Sequence, residues 1–491
     1  MLIQVILADS NEQLLKDYQT AAPATDLVEL RLDRVPDLNL AAIFAAVGKP
    51  RVATCRSRSQ GGFFSGSEEQ RQRILRESIL QGAEYVDLEF ESDDEEILGS
   101  TGGTRAILSY HLRGGTPGNL AEIYERMARR GEGTILKIIP FADSCTDNLR
   151  VRTLLRDALS EGRPLIGFCM GEKGKVSRIL ARAWGSWAVY APSTLDAQTA
   201  PGQLLLSELT DVYRFADLDA ATPLCGVLGH PVSESLSPLL HNTAYARRGL
   251  KRCFLPFDAE VVAEFLPLLS ELPISGIAVT SPHKEAMVPH CDELDPTARR
   301  VGAVNTVVRK WNRLVGYNTD VEGGVAPLRR LLPLRGAQIG ILGSGGAARA
   351  LAFGLAREGC QILLFARNRS RAEKVAGELG CKAQPWSRAG SFRGDVLINA
   401  TPVGMRPGPD ESPVSWDGIR TGLAYDLVYS PAQTRFLREA LSCGVQVLAG
   451  SEMFLEQALL QFELLTGEEA PRETFEEILA RSRAAGSFPE R

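Results

Sequence analysis

Eight short apolar runs succeed one another through roughly the first 210 residues, near positions 2–7, 27–31, 51–55, 85–89, 105–109, 134–138, 164–168 and 187–190. Between them lie segments such as 68–81, 120–130 and 146–159, whose apolar residues recur at helical spacing. Short aliphatic runs bounded by turn signals are buried strands, and most of these are followed by a helical pattern. Eight such units in this length point to a (β/α)8 barrel, because an open doubly wound sheet would use fewer strands. A barrel makes a further demand, that polar chemistry collect where its strands end. Glu29 and Arg31 close the second run, Arg56 follows the third, and Asp87 and Glu89 lie at the fourth. His111 follows the fifth, Lys137 lies in the sixth, and Met170 follows the seventh.

The stretch 213–222 is polar and Ala-rich, precedes Pro223, and reads as a linker. Strand and helix patterns alternate again from Leu224 onward. The run Gly340-Ile341-Leu342-Gly343-Ser344-Gly345-Gly346-Ala347 follows a strand and opens a helix, the context that a dinucleotide fingerprint requires. Gly343 and Gly345 permit a tight turn and a close backbone approach, and the helix N-terminus offers amides to a pyrophosphate. Taken alone, such a loop can also be a plain turn. The next strand, 361–366, ends not in an acid but in Arg367-Asn368-Arg369-Ser370-Arg371, which suits a 2′-phosphate and predicts NADP. A solvated basic turn, with NAD as the cofactor, is the alternative.

At 491 residues the chain exceeds what one core organises, so two or three domains are expected. A net charge of −5 gives no electrostatic case for nucleic acid or for an anionic membrane surface. Nine scattered Cys without a CxxC pair fit reduced thiols, and five His without zinc spacing give no metal site. The first residues lack a basic leader and no stretch reaches transmembrane length, so a cytoplasmic location is expected.

Lys137 stands within the apolar run Thr134-Ile135-Leu136-Lys137-Ile138-Ile139. Lost hydration lowers the pKa of such a lysine, and a neutral amine can add to a ketone to give a Schiff base. Alternatively its stem crosses the wall and its head reaches solvent. His111, one strand earlier, could share the same barrel mouth, and a histidine titrating near pH 7 suits proton transfer beside an imine.

Together, Glu29-Leu30-Arg31, Thr54-Cys55-Arg56-Ser57, Val86-Asp87-Leu88-Glu89, Ser109-Tyr110-His111, Leu136-Lys137-Ile138, Val176-Ser177-Arg178 and Ala200-Pro201-Gly202-Gln203 resemble type I 3-dehydroquinate dehydratase. The resemblance implies a Schiff base on Lys137, with His111 as general base and then acid. It further implies that Arg178 meets the substrate carboxylate, that Glu29, Arg31, Arg56 and Gln203 hold hydroxyls, and that 199–203 is a lid. Gln60 stands where many relatives carry Glu.

From about 222 onward the chain resembles shikimate dehydrogenase. The motifs are Gly229-His230-Pro231-Val232-Ser233-Glu234-Ser235-Leu236-Ser237-Pro238, Thr280-Ser281-Pro282-His283-Lys284, Gly302-Ala303-Val304-Asn305-Thr306 and Gly316-Tyr317-Asn318-Thr319-Asp320, then Asn399-Ala400-Thr401-Pro402, Asp426-Leu427-Val428-Tyr429 and Phe454-Leu455-Glu456-Gln457. This resemblance implies Lys284 and Asp320 as the catalytic pair, and Ser235, Ser237, Thr280, Asn305, Tyr429 and Gln457 around substrate. Gly343, Ser344, Gly345, Gly346, Ala347, Asn368, Arg369, Ser370, Arg371, Thr401 and Gly450 would hold NADP. Glu234 and Ala278 depart from the residues common in that family, His and Asn respectively.

The expected organisation is α/β throughout: a (β/α)8 barrel over 1–213, an α/β substrate domain over 222–330, a Rossmann NADP domain over 331–450, and a helical segment over 451–491 returning to the substrate domain. The expected partners are small molecules alone: 3-dehydroquinate, 3-dehydroshikimate and shikimate. Two rivals are a dehydrogenase acting mainly on quinate and a metabolite sensor without turnover. The sensor reading predicts loss of His111, Lys137, Lys284 or Asp320, and all four are present.

Overall fold

The computed structural model describes residues 1–92, 95–99, 101–405, 408 and 410–484. The chain divides into two compact units. The first is Met1–Thr222 with Pro256–Ala259 and Ala263–Leu272, and the second is Pro223–Leu255, Glu260–Val262 and Pro273–Arg491.

In the first unit, strands β1 (Leu2–Ile6), β2 (Leu27–Arg31), β3 (Arg51–Thr54), β4 (Tyr85–Glu89), β5 (Arg105–Leu112), β6 (Ile135–Pro140), β7 (Leu165–Gly167) and β8 (Val189–Pro192) form one sheet in the order β7-β6-β5-β4-β3-β2-β1-β8. Its strand pairings are all parallel, and it is a nearly closed (β/α)8 barrel. At the β7–β8 seam, Trp187 N–H donates to Leu165 O at 2.8 Å, and Ser186 Oγ bridges Gly167 N–H and Ala188 O. Strands covered on both faces carry no polar alternation, so β2 and β6 are buried at every position. Local chemistry sets the surrounding helices. Ser67 and Gln70, for instance, form a reciprocal capping box that starts the helix Glu68–Leu80.

The expected linker at 213–222 is a packed segment. Tyr213, Phe215, Leu218 and Thr222 are buried, and Phe215–Asp217 makes one tight helical turn. Its polarity misled because the aromatic residues spaced through it supply the buried face.

Two further sheets follow, built from strands of the second unit except for the end of β10. Strands β9 (Leu224–Gly229), β10 (Cys253–Asp258), β11 (Ile274–Val279), β12 (Glu293–Leu294), β13 (Thr306–Lys310) and β14 (Arg313–Tyr317) lie in the order β10-β9-β11-β13-β14-β12. β13 runs antiparallel to both β11 and β14, making this sheet mixed. Strands β15 (Gln338–Leu342), β16 (Gln361–Ala366), β17 (Lys382–Pro385), β18 (Val396–Asn399), β19 (Leu423–Asp426) and β20 (Gln446–Leu448) lie in the order β17-β16-β15-β18-β19-β20, with parallel pairings throughout. Counted from β15, that is the 3-2-1-4-5-6 order of a dinucleotide-binding fold, whose switch point lies between β15 and β18.

After β20 the chain enters the helix Gly450–Thr466, which packs on β11, β13 and the helix Asp320–Leu331. Its Phe454, Leu455, Ala458, Leu459, Phe462 and Leu465 enter the same core as Cys225, Val227, Leu240 and Phe254 from the start of the unit. Among the described residues, no helix is long and apolar enough to cross a membrane.

Candidate active sites

The barrel mouth holds a pocket lined by Glu29, Arg31, Arg56, His111, Lys137, Arg178 and Gln203, bringing together every residue expected there. The mechanism of assembly is the two-residue period of a strand. Glu29 and Arg31, Asp87 and Glu89, and Ser109 and His111 each point to one side of the wall, and the register places Glu89 beside Ser109 and Ser109 beside Lys137.

Lys137 does not run its head to solvent: it is 4% exposed, and its Nζ lies 3.1 Å from Asp87 Oδ2 and 4.0 Å from Glu29 Oε1. The Tyr190 ring lies below it, 3.9 Å from Nζ to the centroid. Burial lowers the lysine's pKa and Arg56 adds to that, against the raising pull of Asp87 and Glu29. Asp87 is itself locked as an anion. Burial alone would raise its pKa, but Arg56, Lys137 and a 2.6 Å bond from Ser109 Oγ hold it well below the usual carboxylate range. Arg56 completes the floor with bonds to Asp87 Oδ1 (2.7 Å) and Ser109 Oγ (2.8 Å).

His111 differs from its expectation. Burial, with Arg56 and Lys137 close by, pushes its pKa well below 6.5, so the imidazole is neutral at pH 7 instead of titrating there. Its Nδ1 is buried without a hydrogen-bond partner among the described residues. Its backbone N–H donates to Gln60 Oε1 at 3.1 Å, and the Gln60 amide faces Glu91 at 3.5 Å.

The arginines are not equivalent. Arg31 is held bidentately by Asp33, at 2.9 and 2.7 Å. Arg178 is buried, stacks 4.5 Å above Phe168, leaves its Nε without a partner among the described residues, and has its pKa lowered to about 10 by burial. Among these groups, Arg178 is the guanidinium still seeking an anion. Gln203 accepts from Thr199 N–H at 2.8 Å inside the loop 199–203. Gly202 there has φ +69°, and a Cβ on it would lie 2.2 Å from Gly171 O, so only glycine fits. Gln60, Arg113, Phe168 and Tyr190 also line the pocket without having been expected to bind substrate. Asp87 and Ser109, beneath it, stood in the sequence motifs without a role assigned to either.

The second unit holds its own pocket, lined among others by Ser235, Ser237, Thr280, Lys284, Asn305, Asp320, Tyr429, Gly450 and Gln457. Lys284 Nζ lies 2.5 Å from Asp320 Oδ2. Asn305 Nδ2 donates to Asp320 Oδ1 at 2.9 Å and to Thr319 Oγ1 at 2.8 Å, fixing the carboxylate's other oxygen. Gln461 Nε2 bonds Asn305 O at 3.1 Å, and Thr319 Oγ1 bonds Gln457 O at 3.2 Å. Tyr429 stacks on Phe454 at 4.4 Å, and burial pushes its phenol up to about 12. Ser235 Oγ accepts from Ser237 N–H at 3.3 Å. Leu427, Met453, Phe454 and Gln461 also line it, and Ala278 leaves one wall small. The sequence singled out Ala278 as a departure and carried Leu427 and Phe454 only within motifs, while Met453 and Gln461 went unnoticed because their helical setting reads as core.

Of the residues expected to hold a cofactor, all but Gly450 gather after the C-terminal ends of β15, β16 and β18; Gly450 follows β20 and opens the helix Gly450–Thr466. Gly343 has φ +115°, and a Cβ there would sit 2.9 Å from Ala400 O, whereas a Cβ on Gly345 would meet nothing within 4 Å. The helix Gly346–Arg357 starts there without a side-chain cap, so its first amides stay available to an anion. Asn368 Oδ1 caps the helix Arg369–Leu379 by accepting from Arg371 N–H at 3.0 Å. Thr401 Oγ1 bonds Asn399 Oδ1 at 2.6 Å, shaping the turn after β18. Open space above Gly345, uncapped amides and a basic turn after β16 fit a phosphorylated dinucleotide. Among the described residues, no cluster of His, Cys, Asp and Glu is arranged to hold a metal ion.

Behind that turn, Asp426 is buried and accepts from Asn399 Nδ2 (2.9 Å), Val428 N–H (3.0 Å) and Thr434 Oγ1 (2.5 Å). Burial outweighs these bonds and pushes its carboxyl up to about 7, from an ordinary 3.8. The folded protein then keeps a proton that the unfolded chain releases, so the stability tied to this group is full below pH 3.8 and is lost as pH rises through about 7. Asp426→Asn can keep all three bonds, its amide donating to Thr434. It is expected to flatten the urea midpoint across this pH window; an unchanged slope would show that Asp426 is ionised in the fold.

Residues 3–220 match the family model for type I 3-dehydroquinase. Residues 227–307 match the shikimate dehydrogenase substrate binding domain, and 450–479 the shikimate 5'-dehydrogenase C-terminal domain. The bifunctional 3-dehydroquinate dehydratase/shikimate dehydrogenase of Arabidopsis thaliana, described as chloroplastic, is 33% identical over 97% of this chain and 83% of that protein. The NADP(+) shikimate dehydrogenase of Methanopyrus kandleri is 43% identical over 53% of this chain and 96% of its own length. The solved shikimate dehydrogenase of Aquifex aeolicus superposes with a TM-score of 0.50 at 32% identity, covering 54% of this chain and 99% of that one.

Proposed function

The chain belongs to the bifunctional 3-dehydroquinate dehydratase/shikimate dehydrogenase family, and from that premise we propose how its two pockets carry out consecutive steps, dehydration of 3-dehydroquinate and NADPH-dependent reduction of the resulting 3-dehydroshikimate. The observation that carries this assignment is that each unit sets one lysine against one carboxylate in its own pocket, Lys137 with Asp87 and Lys284 with Asp320. Residues 1–213 serve as the dehydratase, 222–330 with 451–491 as the substrate part of the dehydrogenase, and 331–450 as its cofactor part.

In the barrel, Lys137, once it has released its proton, adds to the substrate ketone, and loss of water gives a protonated imine. His111, neutral at pH 7, takes the proton from the adjacent carbon, where the imine accepts the electron pair. The resulting enamine expels the β-hydroxyl, which leaves as water with the proton His111 returns, and hydrolysis of the imine frees Lys137. Asp87 and Glu29 flank the cation throughout. Arg178 takes the substrate carboxylate, supported by its buried and incompletely bonded guanidinium. Glu29, Arg31, Arg56 and Gln203 orient the hydroxyls.

In the second unit, bound NADPH supplies the hydride. Lys284 places an ammonium where negative charge develops on the carbonyl oxygen and delivers the proton, while Asp320 holds the lysine in position. Ser235, Ser237, Thr280, Asn305, Tyr429 and Gln457 surround the ring and its carboxylate. Gly343, Ser344, Gly345, Gly346 and Ala347 would cradle the pyrophosphate; Asn368, Arg369, Ser370 and Arg371 the 2′-phosphate; Thr401 and Gly450 the nicotinamide side. We also take the compartment to be reducing and cytoplasmic, since all nine cysteines are free thiols.

The test is an assay with 3-dehydroquinate as sole organic substrate and NADPH, following enone absorbance and NADPH loss together. NADPH consumption is expected. Accumulation of 3-dehydroshikimate without it, even with NADH substituted, would overturn the dehydrogenase assignment.

A further inference from the structure

Two arginines at the start of the helix Arg369–Leu379 are bonded to glutamates, and the two bonds differ in kind. Arg369 pairs with Glu373 at 2.7 Å, one turn along the same helix, so that pair travels with the helix. Arg371 instead reaches across to Glu285, the residue after Lys284. The side chains of Arg371 and Glu285 are 46% and 38% exposed, which makes their pair an exchangeable surface contact and not a buried fixture. The neighbouring approach is tight, since a Cβ on Gly346 would fall 3.0 Å from Lys284 Cβ. Meanwhile the Arg371 backbone is fixed by its 3.0 Å bond to Asn368, leaving the guanidinium to change partners.

We infer that Glu285 is a built-in competing anion for Arg371, which restrains NADP affinity and narrows its preference over NAD. This rests on the proposal that the basic turn holds the 2′-phosphate. A phosphate that pairs with Arg371 must displace the Glu285 carboxylate from it. That cost falls only on a ligand carrying the 2′-phosphate; NAD, with a hydroxyl in its place, incurs none of it.

The test measures dissociation constants for NADP+ and NAD+ by calorimetry, with no turnover, on the full chain and on Glu285→Gln, Arg371→Gln and the double variant. Glu285→Gln is expected to tighten NADP+ by about three- to fivefold and to leave NAD+ unchanged. In the Arg371→Gln background, the gain for NADP+ should largely vanish, since the two residues act as a pair. An unchanged NADP+ constant, an equal change for both cofactors, or a full gain without Arg371 would each overturn the inference while the NADP assignment stood. If the parent protein binds NAD+ as tightly as NADP+, the 2′-phosphate assignment falls and the inference with it.

Discussion

Lys137→Ala is expected to reduce dehydration of 3-dehydroquinate by about ten-thousandfold or more, while reduction of supplied 3-dehydroshikimate continues at the parent rate. The size of the loss follows from the chemistry. Without the amine there is no imine, and the proton beside the ketone must be removed with only a neutral carbonyl as electron sink. The pocket floor worsens matters, because Asp87 and Glu29 are then left without the cation between them. Borohydride added during turnover should trap the imine as a stable adduct on the peptide containing Lys137. Retained dehydration in the variant, or an adduct confined to another lysine, would remove the covalent mechanism.

Lys284→Ala is expected to lower turnover of 3-dehydroshikimate by about a thousandfold with little change in NADP+ binding. The Nζ is the group bonded to Asp320 at 2.5 Å, and no other lysine lines that pocket. Asp320→Asn should cost less, about a hundredfold, because the lysine remains and only its orientation is loosened. The check is NADPH oxidation with saturating 3-dehydroshikimate, alongside a separate NADP+ titration. A fall confined to cofactor affinity would reassign Lys284 to binding. In both variants the unaffected half serves as the control for folding.

The barrel was legible because its signals are local and repeated. Strands such as β2 and β6, covered on both faces, read as unbroken aliphatic runs, so Glu29, Arg31 and Lys137 stood out within them. The cofactor fold was legible for a similar reason, since the glycine loop and the arginines after β16 each occupy one turn. What could not be read was pairing at long range. The mixed sheet depends on β13 reversing between β11 and β14, and hydrophobic period alone does not distinguish parallel from antiparallel partners. Asp87 was noticed as a strand-end acid, but its bond to Lys137, 50 positions away, is set by barrel register. The misjudged charge state of His111 has the same origin, because the burial that depresses it, and the Arg56 and Lys137 charges that add to it, come from the packing of other strands. The stretch 213–222 failed differently: its composition averages to polar although Phe215 and Leu218 are buried.

The helix Gly450–Thr466 imposes an order on how the protein is made. The substrate lobe begins at β9, yet Phe454, Leu455, Leu459 and Phe462 belong to its core, and Gln457 and Gln461 bond the segment around Asn305 and Thr319. More than a hundred residues of cofactor lobe, from β15 to β20, are synthesised between the two. A chain still leaving the ribosome, which folds its domains as they emerge, can finish the barrel and then the nucleotide-binding sheet. The lobe that starts before that sheet must wait, its aromatic core half-filled, for the last helices to arrive. The reductase is therefore completed from its C-terminal end, and a nascent chain halted before residue 450 would carry a finished dehydratase and an unfinished partner.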